Sequence, residues 1–396
     1  MNIVLLTNIL NPYRKAFYDE LFRQCTEKGH IFHVLVMSAE EYNREWHYED
    51  YQGPYSILLQ CKAFRIGHLP IYINQDLYRQ MSKLKPDIVI MAGGYMLPSV
   101  WKASSYKKKL GYQTFFWSES HLDEKREYRR MTLFLREKIR KQFYRKFDGF
   151  WYPGEKALQF IQKYSNEDAE YFQIPNLIDN TKFLKKTEAI TQNPDWKQGS
   201  TKLKEKYNIS QDKKILFAPM RLHWSKGLIP FMKLLHQTTG AEKVQLVVAG
   251  SGEAEAEKEI QNAAAELGID LKLLGYQEEP QIIELYYAAD AFFLPSVSDP
   301  SPLTCVEALW CGKPMLVSEY VGNYPEVIRQ GENGYMFRYS NEAEALGIIA
   351  KFILQTEEWY KKASVISRQI AQEHFALDKV TADLLQNMKL TKEAEK

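Results

Sequence analysis

The sequence predicts an α/β fold with two doubly wound domains that face a central cleft. Short apolar runs alternate with longer segments of helical period, and this alternation is typical of parallel strands joined by crossover helices. The 396 residues are also too many for one ordinary core. A segment rich in Lys, Thr, Asn and Gln, with Pro194 and Gly199 as breakers, interrupts the alternation at residues 183–211 and marks a domain junction.

Each half of the chain contains a series of apolar runs that we predict as buried strands. The first series is Ile3–Thr7, Ile31–Met37, Ile88–Ala92, Thr114–Trp117 and Gly149–Tyr152, and the second is Ile215–Ala218, Gln245–Ala249, Leu271–Leu274, Ala291–Leu294 and Met315–Val317. Helical period then continues from Glu357 to about Leu390. We expect domains over residues 1–185 and 186–372, and a C-terminal helix in residues 373–396 that returns to the first domain.

Composition excludes several classes of protein. The 52 Lys and Arg residues oppose 50 Asp and Glu, so the net charge of +2 creates no overall field for nucleic acid. The cysteines, Cys25, Cys61, Cys305 and Cys311, form no Cys-x-x-Cys pair, and we expect them to be reduced and free of metal. The chain has no apolar run of membrane-spanning length and its first residues lack the features of a signal peptide, which predicts a cytoplasmic protein.

The segment Phe217–Gly227 places two cations, Arg221 and Lys226, in the loop after a predicted strand and at the entry to a helix. Helix N-terminal amides attract anions, and an Arg fork with a Lys point charge would neutralise a diphosphate. The alternative is a solvated basic turn without a ligand.

The segment Leu294–Leu309 carries the second candidate site. Ser301 is a good N-cap and Pro302 suits the first helical position, so we expect a helix to begin here with its free amides facing the cleft. Glu307 in that helix would accept the two hydroxyls of a ribose, and Asp299 in the preceding loop would hold sugar hydroxyls. The alternative is a capped helix with an exposed glutamate.

With these residues in place, the sequence resembles the family 4 glycosyltransferases, retaining enzymes of the GT-B fold with two Rossmann-like domains. The matching segments are the acid-to-Glu spacing Asp299–Glu307 with Gly312-Lys313-Pro314, the Arg-Leu-x-x-x-Lys-Gly run Arg221–Gly227, the glycine turn Gly250-Ser251-Gly252, the Leu274-Gly275-Tyr276 turn and the run Ile174–Asp179. The resemblance is clear from about residue 170 to 340 and weaker before it.

This resemblance implies a metal-independent, cofactor-free hexosyltransferase that moves a sugar from a UDP- or GDP-sugar to a glycan or lipid-linked acceptor in cell-surface polysaccharide biosynthesis. The first domain would bind the acceptor and the second the nucleotide sugar. Arg221 and Lys226 would stabilise the departing diphosphate, so catalysis would be electrostatic, without a covalent intermediate. The implied donor-binding residues are Arg221, Lys226, Gly250, Tyr276, Asp299, Ser301, Leu303, Thr304 and Glu307.

Three positions depart from the family pattern. Asp299 stands where the family more often has Glu, and Ser301 with Pro302 replaces Phe-Gly, which removes one backbone donor. The first loop, Asn8–Arg14, lacks the glycine pair that is frequent in the family. The sequence leaves open the donor base and sugar, the acceptor and linkage, and the oligomeric state.

Glu119 and His121 end a predicted strand in the first domain, where many relatives place a catalytic or sugar-contacting His. Both are candidates for catalysis, and a polar loop without a role is the alternative. Gly93 and Gly94 follow another strand, where glycine would let backbone approach a ligand.

The segment Lys125–Lys146 interleaves Lys and Arg with apolar residues. A basic amphipathic helix of this kind binds anionic membranes, which would place the protein at the inner face of the membrane beside a lipid-linked acceptor. The alternative is a plain surface helix.

Other functional classes remain at this point. A nucleotide-sugar epimerase shares the GT-B architecture, and a non-catalytic glycan-binding or scaffold subunit would keep the fold without turnover. A dinucleotide oxidoreductase is disfavoured because Gly250-Ser251-Gly252 lacks the third glycine of its motif. The metal-dependent GT-A type is disfavoured because no two Asp residues stand two apart.

Overall fold

A computed structural model describes residues 1–40, 47–66, 69–122, 130–192 and 200–389. The chain divides into two compact units. The first unit contains the described residues up to Ile178 together with those from Leu377 onward, and the second contains the described part of Asp179–Ala376.

The first unit is built on a seven-stranded parallel sheet in the order β3-β2-β1-β6-β7-β8-β9, beside an antiparallel hairpin of β4 and β5. Strand order reverses between β1 and β6, where a doubly wound sheet places its ligands. The strands are β1 (Asn2–Thr7), β2 (Ile31–Val36), β3 (Ser56–Leu58), β4 (Cys61–Ile66), β5 (Leu69–Asn74), β6 (Ile88–Ala92), β7 (Gln113–Trp117), β8 (Gly149–Tyr152) and β9 (Glu170–Gln173).

Crossover helices connect these strands. They are α1 (Pro12–Glu27), α2 (Tyr48–Tyr51), α3 (Leu77–Leu84), α4 (Pro98–Leu110), α5 (Arg130–Tyr144) and α6 (Glu155–Tyr164). Helix α1 begins directly after β1 because the Asn11 side chain accepts from the Arg14 amide across 2.9 Å and Pro12 occupies the first turn, where its missing N–H costs nothing.

The second unit repeats the plan with a six-stranded parallel sheet in the order β12-β11-β10-β13-β14-β15. Its strands are β10 (Lys214–Pro219), β11 (Val244–Ala249), β12 (Leu271–Leu273), β13 (Ala291–Leu294), β14 (Met315–Ser318) and β15 (Gly334–Phe337). Strands β11, β13 and β14 are buried along their whole length, which explains their continuous apolar runs.

The helices of the second unit are α7 (Asn180–Thr191), α8 (Ser200–Lys206), α9 (Leu228–His236), α10 (Ala254–Glu266), α11 (Glu279–Ala288), α12 (Leu303–Trp310), α13 (Tyr324–Val327), α14 (Glu342–Ile353) and α15 (Glu357–His374). The polar segment at residues 183–211 thus contains most of α7 and all of α8. Among the described residues of this segment, Thr187 and Lys204 are buried and most of the other polar residues are exposed or half-buried.

The helical stretch predicted from Glu357 to about Leu390 is two helices, because α15 ends at His374 and α16 (Leu377–Asn387) begins after it. Helix α16 belongs to the first unit and packs against α1, where the Gln24 side chain donates to the Asp378 carbonyl across 2.9 Å. The predicted α/β class with two parallel sheets is confirmed.

Candidate functional site

The loops that follow β10, β11, β13 and β14 meet at the carboxyl edge of the second sheet. The Leu222 amide donates to the Ser251 carbonyl across 2.9 Å, and the Val297 amide donates to the Ser225 carbonyl across 2.8 Å. The Gly322 amide donates to the Asp299 carbonyl across 2.7 Å. These bonds join residues from distant parts of the sequence into one floor at the position where doubly wound sheets bind ligands.

Glycines make this close packing feasible. Gly250 has φ +151°, and a Cβ there would lie 2.0 Å from the Met220 carbonyl oxygen. Gly227 has φ +66°, and its Cβ would lie 2.1 Å from the Pro295 carbonyl oxygen. Any side chain at either position would force the loops apart.

The two predicted cations occupy different environments in the loop after β10. Arg221 is exposed, and no ion pair to its guanidinium occurs within the part of the chain that the structure describes. Lys226 ends a 3₁₀ turn over Trp224–Lys226, and its ammonium donates to the Asp299 carboxylate. The side chains of this pair are only 18% and 11% exposed. Arg221 is therefore open to an anion, while Lys226 already holds one.

Helix α12 begins one residue later than predicted. Its first residue is Leu303, Pro302 lies in the cap position with an extended ψ of 127°, and the Ser301 side chain does not cap the helix. The extended backbone of Pro302 is the reason, because a residue within an α-helix needs a ψ near about −40°. The Asn323 side chain donates to the Pro302 carbonyl across 3.1 Å and fixes this bend.

Leu303 and Thr304 form the first turn of α12. Amides of a first helical turn have no acceptor within their own helix, so they are available to an anion together with the positive end of the helix dipole. The Thr304 carbonyl accepts from the Tyr286 hydroxyl across 3.0 Å, which ties this turn to α11.

Glu307 is half-buried in the second turn of α12, so the alternative of an exposed glutamate is wrong. Desolvation by burial raises the pKa of its carboxyl to about 7, although a hydrogen bond from the Tyr286 hydroxyl at 3.3 Å lowers it in part. Ligand hydroxyl groups that donate hydrogen bonds to this carboxylate would replace the water that it has lost by burial.

The Gly312-Lys313-Pro314 part of the motif lies at the other end of α12. Gly312, with φ +66°, ends the helix, and the Lys313 ammonium donates to the Ala289 carbonyl across 2.8 Å. Burial lowers the pKa of Lys313 to about 8. These contacts give the segment a structural role in joining α12 to β14.

Two aromatic side chains project from the loops at the same edge. Tyr276 follows β12 and is 73% exposed, while Trp224 in the 3₁₀ turn is 69% exposed. The Gly250 amide donates to the Gly275 carbonyl across 2.7 Å, so Tyr276 stands next to the glycine turn. An exposed ring on a fixed backbone is suited to stacking against a planar ligand.

Glu119 and His121 lie after β7 in the first unit, Glu119 partly exposed and His121 buried. Glu119 forms an ion pair with Arg14 at 2.8 Å, and the Arg14 guanidinium lies 4.0 Å from the centre of the Trp117 ring. Burial lowers the pKa of Arg14, but the nearby Glu119 carboxylate and Tyr18 hydroxyl raise it by more.

Arg14 is a site residue that the sequence patterns do not identify. One signal was available: Arg14 stands in the first turn after the first strand of its unit, as Lys226 stands after the first strand of the second unit. Of the candidate site residues, Glu119 and His121 belong to the first unit and the rest to the second.

Among the described residues, no group of three or more His, Cys, Asp or Glu side chains could hold a metal ion. Of the helices that are described, none is both long and apolar enough to cross a membrane. The amino-terminal part of the predicted basic segment, Lys125 to Arg129, lies outside the described residues.

Part of this chain is similar to proteins of known family. Residues 199–370 match the family model described as Glycosyl transferases group 1. Lipopolysaccharide 1,2-N-acetylglucosaminetransferase of Salmonella typhimurium strain LT2 is 32% identical over 142 residues, which cover 34% of this chain and 37% of that protein. The chain spans about a third to a half of the length of the curated relatives it matches.

Two solved structures share the whole architecture. Sucrose-phosphate synthase from Thermosynechococcus elongatus has a TM-score of 0.69 at 15% identity, with 98% of this chain and 99% of that chain covered. HepE of Anabaena in complex with UDP has a TM-score of 0.70 at 15% identity, with 98% and 100% covered. This likeness shows the fold, which is the GT-B fold of two parallel-sheet domains predicted from the sequence.

Proposed function

We propose that this protein is a metal-independent, retaining glycosyltransferase of the family 4 type that moves a hexose from a nucleotide sugar to a glycan or lipid-linked acceptor. The observation that carries the proposal is the joined floor of the second sheet. It gathers Arg221, Lys226, the glycine turn at Gly250, the first turn of α12 and Glu307 at one edge. The match of residues 199–370 to Glycosyl transferases group 1 supports the same function.

Each part of the donor has a candidate partner at this edge. The diphosphate would lie between Arg221, Lys226 and the amides of Leu303 and Thr304, because cations and helix N-terminal amides both favour phosphate. Glu307 would accept the ribose hydroxyls. UDP is the first nucleotide to test because HepE was solved with UDP, and GDP is the second.

The remaining donor residues have secondary roles in the proposal. Tyr276 would pack against the nucleobase, and Gly250 would let the backbone approach the phosphates. Asp299 would hold hydroxyls of the donor sugar. Ser301 does not cap α12. It would contact the ligand from the loop that precedes this helix.

Catalysis would act on the leaving group. The bond between the sugar C1 and the diphosphate oxygen breaks, and the negative charge that grows on that oxygen is stabilised by Arg221 and Lys226. The acceptor hydroxyl attacks C1 from the same face, so the anomeric configuration is retained, and its proton passes to the departing phosphate oxygen. No metal and no covalent intermediate is needed.

The first unit would bind the acceptor. Arg14 keeps Glu119 in a fixed ion pair, so Glu119 would orient sugar hydroxyls, and His121 is the other candidate for contact with the reacting sugar. Polysaccharide synthesis on a lipid-linked acceptor fits the exposed face of α5, where Phe134 is 76% exposed beside basic residues. That face would place the protein at the inner surface of a membrane.

Binding and slow hydrolysis of UDP-, GDP- and ADP-sugars, with chelator present, test the proposal. We expect one nucleotide sugar to bind and be hydrolysed by the wild type, and Arg221→Ala and Glu307→Ala to abolish hydrolysis. Lys258→Ala, which removes an exposed cation from α10, should match the wild type. Binding without any turnover, even with candidate acceptors, would instead favour the non-catalytic scaffold, and isomerised donor would favour an epimerase.

A further inference from the structure

The ion pair between Lys226 and Asp299 is built into the floor of the second sheet. The two residues are 73 positions apart and belong to the loops after β10 and β13. Hydrogen bonds of the Asp299 backbone hold its position: its amide donates to the Tyr320 carbonyl across 3.3 Å, and its carbonyl accepts from Gly322. On the other side, the Lys226 amide donates to the His223 carbonyl across 2.9 Å.

We propose that Asp299 is an internal counter-anion for Lys226, which a diphosphate must displace, and that it thereby favours the nucleotide sugar over the spent nucleoside diphosphate. This inference rests on the proposed function, because it assumes that Lys226 receives the diphosphate. It assigns Asp299 a role in selecting donor over product in addition to contact with the sugar.

The charges at the site give the reason. Two anions, the diphosphate and the Asp299 carboxylate, compete for one ammonium group, and each repels the other at short range. A nucleoside diphosphate that takes Lys226 leaves a carboxylate that is only 11% exposed without its cation, and such a group is costly.

A sugar on the diphosphate removes that cost. Its hydroxyl groups can donate hydrogen bonds to the carboxylate that Lys226 has released, so the anion gains new partners when the old one leaves. The nucleotide sugar therefore loses less affinity to Asp299 than the free nucleoside diphosphate does. After transfer, the re-formed ion pair helps to expel the product.

The test is calorimetric binding of UDP and UDP-glucose, with the GDP and ADP pairs in parallel, to the wild type and three variants. Asp299→Asn removes the anion while keeping the shape of the side chain, and Asp299→Glu keeps the anion. Asp270→Asn is the matched control, because Asp270 pairs with Lys213 at 2.9 Å at the start of β12, the opposite end of the same sheet. Thermal unfolding of each variant confirms that it is folded.

We expect Asp299→Asn to bind the nucleoside diphosphate about 5- to 30-fold more tightly than the wild type, as freeing a partly buried cation predicts. The nucleotide sugar should gain less, so the preference for sugar nucleotide over product falls. Asp299→Glu, which retains the anion, should not bind the nucleoside diphosphate more tightly than the wild type, and Asp270→Asn should bind both ligands as the wild type does.

Two results would overturn the inference. If the wild type binds a nucleotide and the folded Asp299→Asn variant binds the diphosphate no more tightly, Asp299 does not compete for Lys226, and the inference alone is lost. If no nucleotide binds to any of the proteins, the proposed function is lost and the inference with it.

Discussion

The hydroxyl of Tyr286 on α11 lies 3.3 Å from the carboxylate of Glu307, the residue proposed to bind the ribose. Tyr286 is buried, and its hydroxyl also donates to the Thr304 carbonyl. The single hydroxyl proton is thus shared between two acceptors. Burial is the largest influence on the pKa of Glu307. The pKa of its carboxyl rises from 4.5 to about 7.

This shift predicts a pH-dependent stability difference for Glu307→Gln. The folded-state pKa lies above that of the unfolded chain, so the wild type loses stability as pH rises from 4.5 to about 7, while the neutral Gln does not. Relative to the wild type, the variant should gain up to about 3 kcal/mol between about pH 4.5 and pH 8. Urea-unfolding midpoints at both pH values measure it.

Glu344→Gln is the control for that experiment, because Glu344 lies on the surface of α14 in an ion pair with Arg338. It should change little with pH. A stability difference for Glu307→Gln that is the same at both pH values would show that burial does not raise the pKa of Glu307.

Substitution of Gly250 is the second prediction. Gly250→Ala places a methyl group 2.0 Å from the Met220 carbonyl oxygen at a φ of +151°, so the loops after β10 and β11 must separate. We expect a loss of about 3 kcal/mol or more in unfolding free energy, together with loss of nucleotide binding. Differential scanning calorimetry and nucleotide titration measure the two effects.

Gly347→Ala in α14 is the matched control, since a Cβ there meets nothing within 4 Å. It should be neutral or stabilise the protein by up to about 1 kcal/mol, because alanine favours helix. Equal stability of the Gly250 and Gly347 variants would mean that the glycine turn is not constrained by its packing.

The sequence predicted the fold well where the physics is local. Buried parallel strands require continuous apolar runs, and β6 and β8 were predicted with the bounds that the structure shows. The hairpin of β4 and β5 was missed, because Lys62 and Arg65 interrupt the apolar residues of β4 and Pro70 disfavours a strand at β5. Strand β9 was missed because Glu170–Gln173 is short and contains no fully buried residue.

The candidate site was less predictable because its contacts are not local. No sequence period relates Arg14 to Glu119, which are 105 positions apart, or Lys226 to Asp299. The start of α12 was predicted from Ser301 as a cap, and the backbone bend at Pro302 overrode that preference. Spacing in the sequence was enough to predict the candidate residues of the second unit. Their pairing was not predictable, because it depends on the sheet that brings the loops together.

The pair of Arg14 and Glu119 gives the third prediction. In a double-mutant cycle with Arg14→Met and Glu119→Gln, we expect a coupling energy of about 1 kcal/mol, because the pair is only partly buried. Arg14→Met should cost more than Glu119→Gln, since it also removes the contact with Trp117 at 4.0 Å. Chemical denaturation of the four proteins measures the cycle.

Lys15 and Asp19 are the control pair, because they form an ion pair at 2.8 Å on the surface of the same helix. Their coupling energy should be smaller, about 0.3 to 0.5 kcal/mol. If the Arg14 cycle gives no more coupling than the control, Glu119 is not held by Arg14.

The exposed face of α5 gives the last prediction. Phe134 and Leu135 are 76% and 57% exposed, and Lys138 and Lys141 lie about one and two turns further along the helix. Apolar side chains beside cations insert into an anionic lipid surface, because the chains bury apolar area while the cations meet the headgroups. The wild type should therefore sediment with phosphatidylglycerol vesicles at low salt, and weakly with phosphatidylcholine vesicles.

The double variant Phe134→Ser/Leu135→Ser should reduce this binding about tenfold or more, since roughly 2 kcal/mol or more of apolar burial is lost. Val365→Ser, which removes an exposed apolar residue from α15, should bind as the wild type does. Added salt should release the wild type, because the cations contribute through screened charge. A wild type that stays in the supernatant with anionic vesicles at low salt would remove the membrane from the proposed function, while donor binding at the second sheet would stand.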